Sequence, residues 1–171
     1  MTSHSLSTPI PVPERSQRDE VARLIAIDWQ GATEARSSER GRWLVAVDGS
    51  EGSLRAVVMA ARLIEADPQA GIDLVHVQPW LVKEAAEVEL PRRGWHATAA
   101  ARAFLDEAGV PWQAHVRMGE AAEEIVALAG ALGSRGIAIG SRGLTATESL
   151  FLGSVAYKVV HLGKVPVLIV R

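Results

Sequence analysis

The sequence contains no cysteine, so disulfide bridges and thiolate metal sites are excluded for this chain. It also lacks a run of about eighteen apolar residues, and we therefore expect no membrane-spanning helix. Charge of one sign is not in excess, because 18 Lys and Arg residues stand against 20 Asp and Glu residues. Proteins that hold nucleic acid by its phosphates usually show a basic surplus, so we expect no nucleic-acid binding.

A secretory signal is also missing. The N-terminal residues MTSHSLSTPIPVPERSQ have neither a basic start nor an apolar stretch, and we therefore expect the protein in the cytoplasm. Hydrophobic residues make up 48% of the 171 residues, which is enough to fill the core of one domain.

Residues 1–41 differ from the rest and are expected to form a largely flexible extension. Three prolines within residues 1–13 resist regular structure. A short helix capped by Ser16 is predicted next, and residues 30–41 have the polar composition of a linker. The apolar face of that helix would hold Val21, Leu24 and Ile25. Loose attachment is favoured over a docking role, because short isolated helices are marginal in water.

Residues 42–171 form the predicted globular domain, in which apolar strands alternate with helices. The predicted strands are residues 43–48, 72–79, 112–118, 136–140 and 165–170. Four helices are expected between them, since apolar residues recur there at helical spacing. Parallel strands need crossovers of this length, and right-handed crossovers place helices on both faces. The sequence therefore predicts an α/β fold with an open, doubly wound parallel sheet of five strands.

Ligands of such sheets bind outside the carboxyl ends of the strands, where the strand order reverses. Two segments follow strands at suitable places: Asp48-Gly49-Ser50 after the first strand and GSRGLTATESLFLGS (140–154) after the fourth. The second segment is not a Walker A loop, because no Gly-Lys-Ser/Thr follows its first glycine. The dinucleotide fingerprint, with three glycines after the first strand, is also absent.

The glycines of the second segment suit a phosphate site. Gly140 and Gly143 would let backbone N–H groups approach phosphate oxygens, because no Cβ intervenes. The helix that begins at Gly153 would offer free N–H groups and the positive end of its dipole. Arg142 and the Ser154 hydroxyl add further donors. Plain turns and caps use the same residues, so the glycines alone leave both interpretations open.

The spacing Gly-x2-Gly-x9-Gly-Ser, present as Gly140, Gly143, Gly153 and Ser154, resembles the ATP-binding signature of the universal stress protein family. Other segments resemble that family in the same order: VAVDGSEGS (45–53), DLVHVQP (73–79), RMGEAAEEIVALA (117–129) and GSVAYKVVHLGKVPVLIVR (153–171). The resemblance covers about residues 42–171. It implies an adenine nucleotide alpha hydrolase-like fold with strand order 3-2-1-4-5.

The resemblance also implies a role for each matching residue. Asp48, with Gly49 beside it, would contact the adenosine moiety, and Val77 would meet the adenine ring through its backbone. Asp48 can also cap the following helix. The residues implied at the ribose and phosphates are Gly140, Ser141, Arg142, Gly143, Gly153, Ser154 and Val155. The implied ligand is ATP, or AMP or ADP, with Mg²⁺ or Mn²⁺ held through the phosphates; we expect no catalytic residue and no metal site made by the protein alone.

The function implied is a regulatory nucleotide-binding module of the stress response, with a protein partner that the sequence does not name. A slow ATPase or phosphotransferase using the same site is the alternative, although no lysine follows the phosphate glycines and no base is evident. An interaction module with an unused site is a third option, which the intact glycines disfavour.

The last strand, 165–170, would lie at one edge of the sheet, where its apolar residues favour a homodimer through strand pairing. The alternative is that residues 1–40 fold back over this edge. His76 is expected to be packed and neutral, and His115 is expected to be a structural or surface residue. The charged segment 83–93 is expected to be a solvated connection, or a lid over the site.

Overall fold

The computed structural model of the protein describes residues 9–33, 41–67, 70–143 and 152–171. This part of the chain contains seven strands and five helices. The strands are β1 (Arg15–Arg18), β2 (Leu24–Gln30), β3 (Trp43–Ala46), β4 (Ile72–Gln78), β5 (Trp112–Met118), β6 (Gly136–Gly140) and β7 (Val167–Val170). The helices are α1 (Glu51–Leu63), α2 (Lys83–Ala97), α3 (Ala99–Glu107), α4 (Ala121–Leu132) and α5 (Ser154–Leu162).

The strands form one sheet in the order β1-β2-β5-β4-β3-β6-β7. The strands from β3 to β7 pair in parallel, and they are the five predicted from the sequence. The predicted order 3-2-1-4-5 holds for these five, and the α/β class is confirmed. The strand count was wrong, because the antiparallel pair β1–β2 extends the sheet beyond β5.

The short helix predicted after Ser16 is wrong, because these residues form the β1–β2 hairpin. In β2, Ile27 and Trp29 are buried on one face, and the strand pairs with β5 along five residues. That pairing outweighs the weak helical spacing, since strand formation depends on packing against neighbours. The turn is shaped by Asp19, whose Oδ1 accepts hydrogen bonds from the backbone N–H groups of Val21 and Arg23. Residues 34–40, most of the predicted linker, lie outside the described residues.

The helix count was also wrong, because the segment 83–93 is not a loose connection but most of α2. Its charges pair along the helix surface, where Glu89 accepts hydrogen bonds from Arg92 and Arg93. The chain then turns at Thr98, whose hydroxyl donates to the Gly94 carbonyl at 2.9 Å, and continues as α3. Two helices therefore occupy the crossover that was predicted to hold one.

The helices cover both faces of the sheet, as a doubly wound fold requires. One layer of the core joins the sheet to α1, α2 and α3, and the other joins it to α4 and α5. Leu44 and Val45 of β3 are fully buried on opposite faces, so the central strand is closed on both sides. Among the described residues, no helix has the length and apolar character that crossing a membrane would need.

Candidate functional site

The strand order reverses between β3 and β6, and the loops that follow these two strands meet there. The loop after β6 packs against the first turn of α1, which follows β3. A Cβ added to Gly140 would lie 2.8 Å from the Gly52 carbonyl carbon, and one added to Gly52 would lie 2.9 Å from the Arg142 carbonyl oxygen. Gly140 and Gly52 are therefore both required for this close backbone approach.

The carboxylate of Asp48 lies directly against the same loop. A Cβ on Gly143 would come within 2.6 Å of Asp48 Oδ2, so the glycine leaves room for the carboxylate. The other carboxylate oxygen accepts a hydrogen bond from the Ser50 backbone N–H at 2.9 Å. Asp48 thus shapes the turn before α1 and presents an acceptor at the strand ends. Gly49, the next residue, has φ 85°, which favours glycine.

The start of α5 completes this set of contacts. The Gly153 N–H donates to the Ser141 carbonyl at 2.8 Å, and the Ser141 N–H donates to the Val170 carbonyl at 2.7 Å. These bonds attach the loop after β6 to both the helix and β7. The N-terminus of α5 therefore lies beside Ser141 and Arg142.

The N-terminal N–H groups of α5 differ from those of the neighbouring helix α1. The Ser50 hydroxyl accepts the Ser53 N–H at 3.1 Å and caps α1, whereas α5 has Gly153 at its N-cap position and therefore no side-chain cap. The helices α2 and α3 also lack such caps, so this feature alone does not identify a site. The position of α5 at the reversal of strand order makes its N–H groups suitable for an anion.

One strand away, β4 brings His76 and Val77 to the same end of the sheet. His76 Nδ1 lies 3.0 Å from the Val47 carbonyl oxygen. Burial lowers the pKa of His76, and the contact with Val47 opposes this only in part. The histidine is therefore a packed, neutral side chain that donates to Val47, as expected. Val77 is half-buried and packs against the core on the α4 side.

The structure thus brings most of the predicted residues together. Contacts join Asp48, Gly140, Ser141, Arg142, Gly143 and Gly153. Gly49 follows Asp48, and Ser154 and Val155 open α5. Val77 lies at the end of the neighbouring strand and is not among the residues in mutual contact. Sequence reasoning missed Gly52; a glycine in the first turn of a helix, where its propensity is poor, was the available signal.

The chemistry offered by this site is that of backbone donors around a single carboxylate. Among the described residues, no group of three or more His, Asp or Glu side chains is arranged to hold a metal ion. The exposed guanidinium of Arg142 adds one positive charge at the loop. Such a cradle favours an anionic ligand with oxygens that accept from N–H groups.

Comparison with known proteins identifies relatives of this chain. The sequence profile of the "Universal stress protein family" (Usp) matches residues 39–171. "Universal stress protein YxiE" of Bacillus subtilis (strain 168) is 32% identical over 146 residues, covering 76% of this chain and 98% of the relative. The "Universal stress protein in QAH/OAS sulfhydrylase 3'region" of Thermus aquaticus is 37% identical over 135 residues, covering 75% of this chain and 96% of the relative. A universal stress protein solved in complex with cAMP superposes with a TM-score of 0.62 at 27% identity, covering 77% of this chain and 97% of that one.

Proposed function

Because the chain belongs to the universal stress protein family, we propose that it binds an adenine nucleotide at the carboxyl ends of β3 and β6. The bound nucleotide would make it a regulatory module of the stress response. The observation that carries the proposal is the contact of the Gly143 position with Asp48, beside the uncapped start of α5. The related structure at 27% identity was solved with cAMP, an adenine nucleotide, which supports the ligand class.

Each residue of the site would contact a different part of the nucleotide. The Asp48 carboxylate is an acceptor suited to the hydroxyl groups of a ribose. The backbone of Val77, at the end of β4, would meet the adenine ring. The N–H groups of the loop after β6 and of the first turn of α5, at Ser154 and Val155, would hold the phosphates.

We further propose that ATP is bound as its complex with Mg²⁺ or Mn²⁺. The loop after β6 contributes one guanidinium, from Arg142; Arg55, close to Gly52, is paired with Glu51, and Asp48 adds a negative charge. This is little positive charge for a triphosphate, so a divalent cation bridging phosphate oxygens would supply the rest. The Ser154 hydroxyl, at the start of α5, is a suitable additional ligand or donor.

Isothermal titration tests these proposals. We expect one site per chain for ATP, with ADP and AMP binding measurably at the same site. Removing Mg²⁺ with a chelator should weaken the binding of ATP far more than the binding of AMP, because AMP carries a single phosphate. Absence of heat and of thermal stabilisation with ATP, ADP, AMP and cAMP at millimolar concentration would reject the proposal.

A homodimer through β7 is the second part of the proposal. Among the described residues, β7 pairs only with β6, and Ile169 of β7 is 37% exposed; Tyr157 and Val160 of α5 are also exposed. The described N-terminal residues 9–33 extend the opposite edge of the sheet, so they do not cover β7. An open apolar edge favours pairing with a second copy.

Sedimentation velocity tests the assembly. We expect the full chain to sediment as a dimer and Ile169→Lys as a monomer, because a charge at the edge opposes strand pairing. Val12→Lys is the matched control, since Val12 is exposed and lies just before β1, the strand at the opposite edge of the sheet from β7. A monomeric wild-type protein would reject the dimer. A cytoplasmic location and an unidentified protein partner stay predictions of the sequence.

A further inference from the structure

The β1–β2 hairpin lies outside residues 39–171, the part that matches the family, yet it contacts the loop 79–82 between β4 and α2. Arg23, at the end of the hairpin turn, makes this contact. Its Nη1 donates to the Leu81 carbonyl at 3.2 Å, and its guanidinium carbon lies 4.8 Å from the ring centroid of Trp80. One side chain of the hairpin thus binds both the backbone and the indole of that loop.

Arg23 is itself held in place by Asp19. The Asp19 Oδ2 accepts from Arg23 Nε at 2.9 Å and lies 2.8 Å from Nη2, while Oδ1 accepts from the backbone N–H groups of Val21 and Arg23. The same carboxylate therefore forms the turn and orients the guanidinium. The turn and the cation behave as one unit, and the fork geometry leaves Nη1 directed at Leu81.

A second contact joins the hairpin to the helix that follows the loop. Arg18 of β1 forms an ion pair with Glu87 in the second turn of α2, with two hydrogen bonds. On the other side, the Leu81 N–H donates to Met118 Sδ at 3.3 Å, which attaches the loop to β5. The hairpin and β5 together therefore fix the path of the chain from β4 into α2.

The loop has few other means of holding its shape. Trp80 is 58% exposed and Val82 is 68% exposed, so only Leu81 packs towards the core. No side chain caps α2 at Val82. The loop nevertheless follows β4 directly, one residue beyond Gln78, at the strand end where the adenine ring is proposed to bind. Its position therefore decides the shape of that side of the site.

We propose that the N-terminal hairpin positions the β4–α2 loop as the adenine-side wall of the nucleotide site, with Arg23 as the positioning residue. The inference rests on the proposed function. Because coupling between two contacts is reciprocal, hairpin docking strengthens nucleotide binding, and bound nucleotide protects the hairpin to the same extent. The specificity for adenine over guanine depends on the same wall, since the base lies against it.

Titration of the full chain with Mg-ATP and Mg-GTP tests the inference. Arg23→Ala is expected to weaken ATP binding by about tenfold, which is within the usual range of coupling between sites. The ratio of the affinities for ATP and GTP should fall as well. Arg23→Lys should recover part of the loss, because an ammonium can donate to Leu81 but lacks the planar face for Trp80 and the fork for Asp19. Arg15→Ala is the control: Arg15 is exposed in β1, and no side-chain hydrogen bond or ion pair joins it to the described residues.

Hydrogen exchange separates positioning from general destabilisation. In Arg23→Ala, exchange should accelerate at residues 80–82 while β4 and β5 keep their protection; addition of ATP to the wild type should slow exchange in residues 19–23. If Arg23→Ala fails to fold, Arg18→Ala is measured instead, and a smaller loss of ATP affinity is expected. If the folded variants match the wild type in ATP affinity and in the exchange of residues 80–82, the inference about the hairpin is overturned, and the proposed function is not. A wild type that binds no nucleotide would overturn the proposed function, and the coupling with it.

Discussion

The two ends of the parallel sheet are stabilised by different kinds of contact. At the amino end, charged side chains neutralise one another: Arg42 Nη1 lies 3.3 Å from Asp73 Oδ1, and His115 Nε2 lies 3.5 Å from the same oxygen. The network continues along β5: His115 Nδ1, in the middle of the strand, is 2.9 Å from Asp28 Oδ1, which also accepts from Arg117, nearer the carboxyl end of β5, at 2.7 Å. Around the carboxyl ends of β3 and β6, by contrast, the close contacts are made by glycines and backbone groups beside Asp48. The Arg42–Asp73–His115 cluster is held by its own charges, whereas the glycine loop leaves its backbone close to the start of α5.

The same network confirms one of the two expectations for His115, because it is a structural residue buried between two carboxylates and not a surface residue. Both ring nitrogens face an acid, so the charged imidazolium suits this place better than either neutral tautomer. The 3.5 Å separation from Asp73 suits an ion pair and is too long for a good hydrogen bond. Burial opposes the charge, but Asp28 and Asp73 outweigh it and raise the pKa of His115.

The largest effect on nucleotide binding is expected at the carboxyl ends of β3 and β6. In Gly153→Val, the added Cβ lies 3.2 Å from the Ser141 carbonyl oxygen and 3.5 Å from the Arg142 Cα, next to the start of α5. We expect nucleotide affinity to fall at least about a hundredfold, or roughly 3 kcal/mol, while the fold survives, since φ at this position is −61°.

The matched control for this variant is Gly130→Ala in α4, where an added Cβ meets nothing within 4 Å. It should bind nucleotide normally and melt at the same or a higher temperature. Gly140→Ala is less informative, because its Cβ would meet the Gly52 backbone and disturb α1 as well. Normal titration of a folded Gly153→Val would mean that the cradle lies elsewhere.

At the amino end, the expected effect is on stability and not on binding. Asp73→Asn removes the anion between Arg42 and His115, and breaking a buried pair in this way costs about 3–5 kcal/mol. Urea unfolding should show this loss, and nucleotide affinity under native conditions should stay unchanged. Glu51→Gln, which breaks the exposed pair with Arg55, should cost less than about 1 kcal/mol. Equal losses in the two variants would argue against a buried network.

The smallest expected effect is a pH dependence. Since the folded-state pKa of His115 is raised, its stabilisation is fully present below the unfolded value of about 6.5 and is lost as pH rises through the folded value. The pKa of Asp28 is lowered: burial opposes this, but the hydrogen bonds to His115 and Arg117 prevail. The contribution of Asp28 is therefore present above its unfolded pKa and disappears in strong acid.

Urea unfolding from pH 6 to 9 would measure this effect. The free energy of unfolding of the wild type should decline with rising pH more than that of Asp28→Asn. The difference between the two proteins is needed because His76, whose pKa is lowered, titrates in the opposite sense. Parallel pH curves for the two proteins would show that His115 is not held charged by Asp28.

Local sequence predicted the contacts around Asp48 and Gly140, although it missed Gly52, and it did not predict the contacts of His115. Asp48, Gly140 and Gly153 stand at the ends of regular elements, so their neighbours follow from the strand order. The partners of His115 do not, because Asp28 lies 87 residues away and belongs to a hairpin that sequence spacing assigned to a helix. The pairing of β2 with β5 decided that structure, and such pairing leaves only a weak trace in the sequence.

Hydrogen exchange with and without saturating Mg-ATP is the decisive test of nucleotide binding at the glycine loop. Slower exchange is expected at residues 140–143 and 153–156, and at the turn 48–50, with little change at the amino end around residues 42–44 and 113–115. Protection confined to the amino end, or no protection at the glycine loop and the start of α5 at saturation, would contradict it.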